Sequence, residues 1–394
     1  MKDDGGQKRA LGMYWLPWTF LAVFRPRSLL AGNGERSSLE RAVRFFALLA
    51  LISVPLLAAD RFTGVQSCAS SGCHGGGKGD DQLLVWMKKD PHSQASSRLT
   101  SQFSMQIGKA LGIADPTKSE QCTVCHSPMQ SAAPERLAHN LKPNLGVSCE
   151  VCHAPAEKWI RFHTRTDVSH AQRVAAGMRD LEKPAQRADT CAGCHLHLPN
   201  AVQAAGHREL QFELATQLAG LPPHWAGDTP MDAPRAWLAG QAVSLRELAW
   251  REQKTPDAGV SSRIAAILWL LHQTEAGKAM LPAKENDLSE VRAAANRLAV
   301  SAAKSQWTPA STRAQIVRLC ENAAQFRDAA LDPITARRRA EALVLAVHAL
   351  ALPLRRDVKF DAQIIELKGQ IRSSVSFEPA TFAGLLEGVP TLLP

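Results

Sequence analysis

The residues with the clearest chemistry are four pairs of cysteines, each pair followed directly by a histidine. Three pairs enclose two residues and are completed by His126, His153 and His195, whereas the pair completed by His74 encloses four. Two thiols at this spacing reach the two vinyl groups on one porphyrin edge, and the next imidazole then binds the iron. The cysteines are Cys68, Cys73, Cys122, Cys125, Cys149, Cys152, Cys191 and Cys194.

Zinc binding and thiol–disulfide exchange are the alternative uses of a Cys-x-x-Cys pair. A zinc site does not require a histidine directly after every second cysteine. A redox-active pair is expected in a βαβ context, whereas turns and short helical segments flank these pairs. The motifs therefore predict four covalently attached haem c groups with their iron. The motif from Cys68 to His74 is the least regular, although a longer linker still reaches both vinyl groups.

Histidines outside the motifs are concentrated in the same part of the chain. Ten of the thirteen histidines fall between residues 60 and 210, and six of these lie outside the motifs. This distribution is typical of bis-histidine ligation, which keeps reduction potentials below those of haems with a methionine ligand. The six are His92, His139, His163, His170, His197 and His207.

Several other residues are interpreted as structural. His170 and His197 read as solvated polar side chains, and His272 and His348 as histidines satisfied within apolar helices. Cys320 lies on an apolar helical face and is interpreted as an inert buried thiol. The run of arginines at 337–339 is interpreted as a solvated helix face, with contact to an acidic partner as the alternative.

The elements that must position the motifs differ between two segments. Residues 60–214 are rich in turn formers, and short helices are predicted only over 82–89 and 97–111. Residues 215–394 have apolar residues at helical spacing and predict five or six helices, with starts at Pro309, Pro333 and Pro379. The sequence thus predicts a mainly α protein. A haem-packed cytochrome domain with little regular structure is followed by a C-terminal helical bundle.

Residues 1–59 form a predicted leader. Arg36, Arg41 and Arg44 precede an apolar run that ends at Ala59, which is the layout of a secretory signal. Export to the periplasm, or to the outer face of the bacterial inner membrane, is expected. The alternative is an uncleaved anchor, although this apolar run is shorter than the ~20 residues that span a bilayer.

The net charge of +9 does not indicate a nucleic-acid partner. The leader holds eight Lys/Arg and four Asp/Glu, which leaves +5 for the rest of the chain. The basic residues also lack the interleaved aromatic residues that single-strand binding uses. Nucleic acid is therefore excluded as a partner.

Three stretches resemble the tetrahaem cytochrome c-554 family and related multihaem cytochromes. They are Trp86 to His92, the box from Gly146 to Pro155 with Trp159 and His163 after it, and Ala205 to Glu213 with His207. The resemblance covers about residues 66–214. It implies that His92, His163 and His207 are distal haem ligands.

A fourth distal ligand is not identified by this resemblance. His139 is the natural remaining histidine, but the residues around it do not match the family's ligand boxes. The second haem of the family's tetrahaem type is suggested to be five-coordinate. The haem at Cys122, Cys125 and His126 is therefore expected to have a weak or absent sixth ligand.

Electron transfer is the expected function, with redox proteins or a membrane respiratory complex as partners. The alternatives are an oxidoreductase acting on a small nitrogen or sulfur species at a five-coordinate haem, or a haem-bearing subunit of a respiratory complex. An electron carrier is favoured over an enzyme, because no Cys-x-x-Cys-Lys motif is present and the only tyrosine, Tyr14, lies in the leader.

We expect purified holoprotein to begin near Asp60, because haem attachment follows export and the preceding residues have the layout of a cleavable signal. N-terminal sequencing of the mature protein measures the cleavage point. Retention of residues 1–59 would contradict cleavage and would indicate a membrane-anchored form.

Overall fold

Helices make up the regular structure, as the mainly α prediction requires. The computed structural model describes residues 60–77, 79–225, 229, 232–354, 357–372 and 377–394. The predicted leader lies outside these residues. Within them no strand forms, and the single β-bridge joins Phe62 to Leu137. No described helix is both long enough and apolar enough to cross a membrane.

Short helices carry the motif-bearing segment. They are α1 (Gln82–Lys89), α2 (Gln102–Ala110), α3 (Glu120–His126), α4 (Cys149–His153), α5 (His170–Ala175), α6 (Pro184–His195) and α7 (Asn200–Ala204). The predicted helix over 82–89 is α1. The predicted helix over 97–111 is interrupted, because the Ser101 hydroxyl accepts the Ser104 N–H and starts α2 after a separate 3-10 helix, Ser96–Thr100.

The C-terminal part has nine described helices rather than the five or six expected. They are α8 (Leu214–Gly220), α9 (Asp232–Lys254), α10 (Ala258–Leu271), α11 (Glu275–Met280), α12 (Leu288–Ala302), α13 (Pro309–Cys320), α14 (Pro333–Ala351), α15 (Val358–Ile371) and α16 (Pro379–Gly388). The predicted starts are confirmed. Thr308 and Asp332 accept N–H groups of the first turns of α13 and α14, and Pro379 begins α16.

The longest helix, α9, runs through the core and gave little periodic signal in the sequence. It packs on α6, α10 and α12, and every residue from Ala236 to Leu245 is buried. A helix buried on all sides has no polar stripe to reveal it. Trp237 lies edge to face with Trp307 at a centroid distance of 6.3 Å.

Helix α6, which carries the last motif, shares this core. Ala188, Ala192 and Leu196 belong to the same cluster of buried apolar side chains as α9. On the flank of this contact, Arg246 of α9 forms an ion pair with Asp189 of α6. The C-terminal helices therefore hold one motif helix directly. The domain boundary between residues 214 and 215 stays a prediction.

The arginine run is not a solvated face. Arg338 donates to Glu209 Oε1 at 2.6 Å and to Glu341 Oε2 at 2.9 Å, and the Arg339 guanidinium lies 4.9 Å from the centre of the Trp269 ring. Only 12 % of the Arg338 side chain is exposed. Arg337 and Arg338 share Glu209, whereas Arg339 lies on the Trp269 ring, so all three side chains have partners within the fold.

The remaining structural interpretations agree with the contacts. His272 Nε2 donates to the Pro282 carbonyl at 2.9 Å, and His348 Nδ1 lies 2.9 Å from Lys368 Nζ. Cys320 is buried, and burial raises the pKa of its thiol to about 12. Such a thiol stays protonated and inert.

We expect Leu298→Ala to lower the free energy of unfolding by about 2–5 kcal/mol, because a fully buried leucine leaves a cavity beside α9. Val300→Ala on the same helix is the control: its side chain is 60 % exposed, and the expected change is within about 0.5 kcal/mol. Denaturant unfolding of the two variants measures the difference. Equal losses would contradict the packing described for α12.

Candidate haem-binding site

Three motifs end on the last turn of a helix. His126, His153 and His195 are the final residues of α3, α4 and α6. Positions i, i+3 and i+4 share one helix face, so each turn presents two thiols and the imidazole on the same side. The longer first motif lies in turns instead, and His74 is held by Gln82, whose side-chain oxygen lies 2.9 Å from His74 Nδ1.

Imidazole rings from distant parts of the chain lie close to one another in three pairs. The ring centroids are 6.1 Å apart for His74 and His163, 5.9 Å for His92 and His195, and 6.4 Å for His126 and His207. A metal–imidazole bond is about 2.0 Å, so two imidazoles bound on opposite sides of one iron have centroids about 6 Å apart. The spacing of the pairs fits an iron between each of them.

Hydrogen bonds at Nδ1 fix which nitrogen is presented by five of the six paired rings. The acceptor–ring pairs are Gln82 Oε1 with His74 (2.9 Å), Asp90 Oδ1 with His92 (2.9 Å), Ala95 O with His126 (3.0 Å), Ile160 O with His163 (2.6 Å) and Arg208 O with His207 (2.9 Å). Because the partners are oxygen acceptors, Nδ1 carries the proton and Nε2 keeps its lone pair. This arrangement is typical of metal-ligating histidines.

The residues that carry the family resemblance hold His92 in place. Val147 N–H donates to the His92 carbonyl at 3.0 Å, and Trp86 Nε1 donates to the Val147 carbonyl at 3.0 Å. Gly146 has a φ of 77°, and a Cβ there would lie 2.6 Å from the His92 oxygen. Glycine is required because the two backbones touch. In the same way Trp159 packs edge to face on His163 at 5.2 Å.

Thiols of different motifs are neighbours. The Cys68 and Cys149 thiols act on one another, which raises the pKa of Cys68 and lowers that of Cys149. Cys125 and Cys194 do the same, with the pKa of Cys194 raised and that of Cys125 lowered, and the charge of Cys191 adds to the raised pKa of Cys152. Burial raises the pKa of Cys152 to about 12 and that of Cys191 to about 11. The motifs therefore follow one another in space as first, third, fourth and second.

The motif residues do not converge on a zinc-like cluster. Within the described ranges, the one group of three side chains with metal-ligand spacing is His170, Asp180 and Glu182. Trp159 Nε1 and Arg173 Nε are buried donors without a partner. An unmet buried donor costs about 1–3 kcal/mol, and a porphyrin propionate is an acceptor of the right kind. The residues thus fit covalently attached haem.

His139 is exposed, and the ring that faces His126 is His207. The open sixth position expected for the haem at Cys122, Cys125 and His126 stays a prediction. Sequence reasoning missed the pairing because the two histidines are far apart in the chain. His170 makes contacts of 3.1 Å with Asp180 and 3.4 Å with Glu182, in keeping with a polar surface role.

His153 is the motif histidine outside these three pairs. Burial lowers its pKa to about 4, and His224 and Arg179 add to the effect. The ring is therefore neutral, which is the form that binds iron. Arg179 also holds the end of α4: its backbone N–H donates to the His153 carbonyl at 3.0 Å, and its Nη1 donates to Val151 and Cys152 carbonyls.

Glu150, inside the third motif, is a buried carboxylate with a structural role. It is 1 % exposed and accepts backbone N–H groups from Thr63 at 2.9 Å, Gly64 at 2.6 Å and Ala156 at 2.7 Å. The negative charge is compensated by these aligned donors. Glu150 thereby joins residues 63 and 64 to the segment that follows α4.

Residues 67–154 match the family model described as cytochrome c554 and c-prime. The matched segment contains the first three motifs, from Cys68 to His153, and the match confirms the resemblance there. The fourth motif and the C-terminal helices lie beyond it. Comparison with curated proteins and with solved structures gave no match.

We expect Glu150→Gln to destabilise the holoprotein by about 3 kcal/mol, because the amide loses the charge and turns an NH2 group toward backbone donors. Glu157→Gln is the control, since Glu157 makes an exposed ion pair with Arg61 and its loss should change stability little. Denaturant unfolding of the purified holoproteins distinguishes the two. A Glu150→Gln protein as stable as the wild type would show that the buried charge is dispensable.

Proposed function

We propose that this c-type cytochrome, whose residues 67–154 match the cytochrome c554 and c-prime family, transfers electrons through four covalently bound haems. The observation that carries the proposal is the set of three facing imidazole pairs at 5.9–6.4 Å. Each pair joins one motif histidine to one histidine from another part of the chain. Two imidazoles on one iron leave no position for a substrate.

The pairs support three ligand assignments. His163 is proposed as distal ligand for the iron at His74, His207 for the iron at His126, and His92 for the iron at His195. The family resemblance had implied these distal histidines without saying which iron each one binds. Bis-histidine ligation keeps the reduction potentials below those of haems with a methionine ligand.

The neighbouring thiols support an order for the haems. Cys68 lies beside Cys149, Cys152 lies near Cys191, and Cys194 lies beside Cys125. The proposed electron route therefore runs through the first, third, fourth and second motifs. The two ends of this route, at the first and second motifs, are where donor and acceptor would dock.

Hydrogen bonds from other residues of the chain hold the proposed iron ligands in position along this route. The bound haems supply a one-electron change at iron. The Nδ1 hydrogen bonds orient five of the six paired imidazoles so that Nε2 is available to iron. Asp90 does this for His92: burial raises the pKa of its carboxyl, but the hydrogen bonds from His92 outweigh burial and lower it overall.

Cytochromes of the c554 family are typically exported. The proposed location is the periplasm or the outer face of the bacterial inner membrane, and the proposed partners are redox proteins or a membrane respiratory complex. The ion pair of Arg246 with Asp189 and the shared core of α6 and α9 support a scaffold role for the C-terminal helices. They keep the fourth motif at a fixed distance from its neighbours.

We expect four haems per chain by pyridine haemochrome assay, and four electrons per chain in a reductive titration of the oxidised protein. Replacing Cys68 and Cys73 together by serine should lower both values to three, since this removes the thioether bonds of the first motif. A wild-type value of three would mean that the first motif is unused. Zinc without haem would overturn the proposal.

A further inference from the structure

We propose that Asp90 lowers the reduction potential of the iron bound between His92 and His195, an assignment that rests on the proposed four-haem function. This potential is then below those of the irons at His74 and His126. His92 is hydrogen-bonded to a carboxylate, whereas the other rings with a partner at Nδ1 are bonded to neutral oxygens. Asp90 is a positioning residue in this role, since it acts on the iron through the imidazole.

The acceptors at Nδ1 differ in charge. Asp90 Oδ1 lies 2.9 Å from His92 Nδ1. The other four acceptors, at 2.6–3.0 Å from their rings, are the side-chain amide oxygen of Gln82 and the backbone carbonyls of Ala95, Ile160 and Arg208. A hydrogen bond to an ionised acceptor is stronger than one to a neutral amide or carbonyl oxygen. His92 therefore has the most imidazolate character of these five rings.

The charge of the acceptor acts on the iron through the imidazole. A ring whose Nδ1 proton is drawn toward a carboxylate is a more basic ligand at Nε2. Stronger donation and a nearby negative charge stabilise ferric iron more than ferrous iron, because the ferric ion has the larger positive charge. One-electron reduction of this iron therefore requires a lower potential than at a bis-histidine iron with neutral acceptors.

The carboxylate of Asp90 is buried and has no cationic side chain of lysine or arginine against it. Asp90 is 5 % exposed, and both hydrogen bonds to Oδ1 come from His92, whose Nδ1 and backbone N–H each donate at 2.9 Å. Within the described residues no lysine or arginine forms an ion pair with Asp90. Water and salt screen a buried charge weakly, so its effect on a neighbouring iron is retained.

The backbone around Asp90 fixes the carboxylate relative to the ring. The Asp90 N–H donates to the Trp86 carbonyl at 3.3 Å at the end of α1, and the side chain caps the 3-10 helix Pro91–Gln94. Pro91 restricts φ at the first position of that helix. The Ser93 hydroxyl donates to the Asp90 carbonyl at 2.8 Å. The contact between Asp90 and His92 is therefore built into the local structure.

A low potential at this iron fits its place in the proposed electron route. The fourth motif, which ends at His195, lies between the third and the second along that route. An electron would pass through this haem rather than stay on it, because its neighbours hold the electron more tightly.

The test is Asp90→Asn in the purified holoprotein, followed by a spectroelectrochemical titration of its haems. Asparagine keeps an oxygen acceptor for the ring but removes the charge. We expect the haem count to stay at four and one potential to rise by about 59 mV, a tenfold change in the ratio of oxidised to reduced haem. Gln82→Glu is the reciprocal variant: it places a charge at His74, and one potential should fall by a similar amount.

A second background identifies the haem that responds. His92→Met removes the Nδ1 atom and should itself raise one potential, because a thioether ligand does so. In that background Asp90→Asn should no longer produce the tenfold change. An undiminished change there would show that Asp90 acts on a different haem and would overturn the assignment.

Asp167→Asn is the matched control, since it removes an exposed carboxylate that pairs with Arg165, and all four potentials should stay at their wild-type values. Unchanged potentials in Asp90→Asn would overturn the assignment. If Asp90→Asn loses haem, Gln82→Glu decides, and a potential that does not fall there would overturn it. A wild-type count below four haems would instead count against the proposed function, so the two failures are distinct.

Discussion

In five of the six paired imidazoles, Nδ1 donates a hydrogen bond to an oxygen acceptor of the chain. Gln82, Asp90 and Ala95 supply three of them, while Ile160 and Arg208 supply the others. A bond at Nδ1 decides the tautomer and the direction of Nε2. Four of these five acceptors lie within eight residues of their histidine, so turns and short helices supply them locally, and Ala95 alone reaches a distant ring, that of His126.

The C-terminal helices also help to hold the paired histidines in place, at two points. Helix α6 shares the buried core of α9 and so fixes His195. Arg338 of α14 binds Glu209, two residues after His207 and next to the carbonyl that accepts from the His207 ring. The buried part of the arginine run thus anchors the segment that carries a proposed distal ligand. The helical half is therefore more than an appendage to the haem segment.

The attachment motifs could be predicted from sequence because covalent chemistry requires their residues to be neighbours in the chain. The pairing of the histidines could not be predicted, because residues as far apart in the chain as His126 and His207 are brought together only by the tertiary structure. The expected open position at His126 rested on the family alone and did not anticipate this contact. Helix α9 was missed for another reason: Trp237 and its neighbours are buried on all sides, and a helix without a polar face gives no periodic pattern. Helix N-caps such as Thr308 and Asp332 could be predicted because each one accepts a hydrogen bond from the first turn of its own helix.

The neighbouring thiols have a consequence for how the protein is made. The Cys68 and Cys149 thiols, and those of Cys125 and Cys194, belong to different motifs and shift one another's pKa. In an oxidising compartment, neighbouring thiols form disulfides, and a disulfide consumes the sulfur atoms that porphyrin vinyl groups require. A chain that folded before its haems were attached would therefore trap itself in a cross-linked, cofactor-free form. On the proposed four-haem function and exported location, maturation requires that the cysteines stay reduced and that attachment precede the final docking of the motifs.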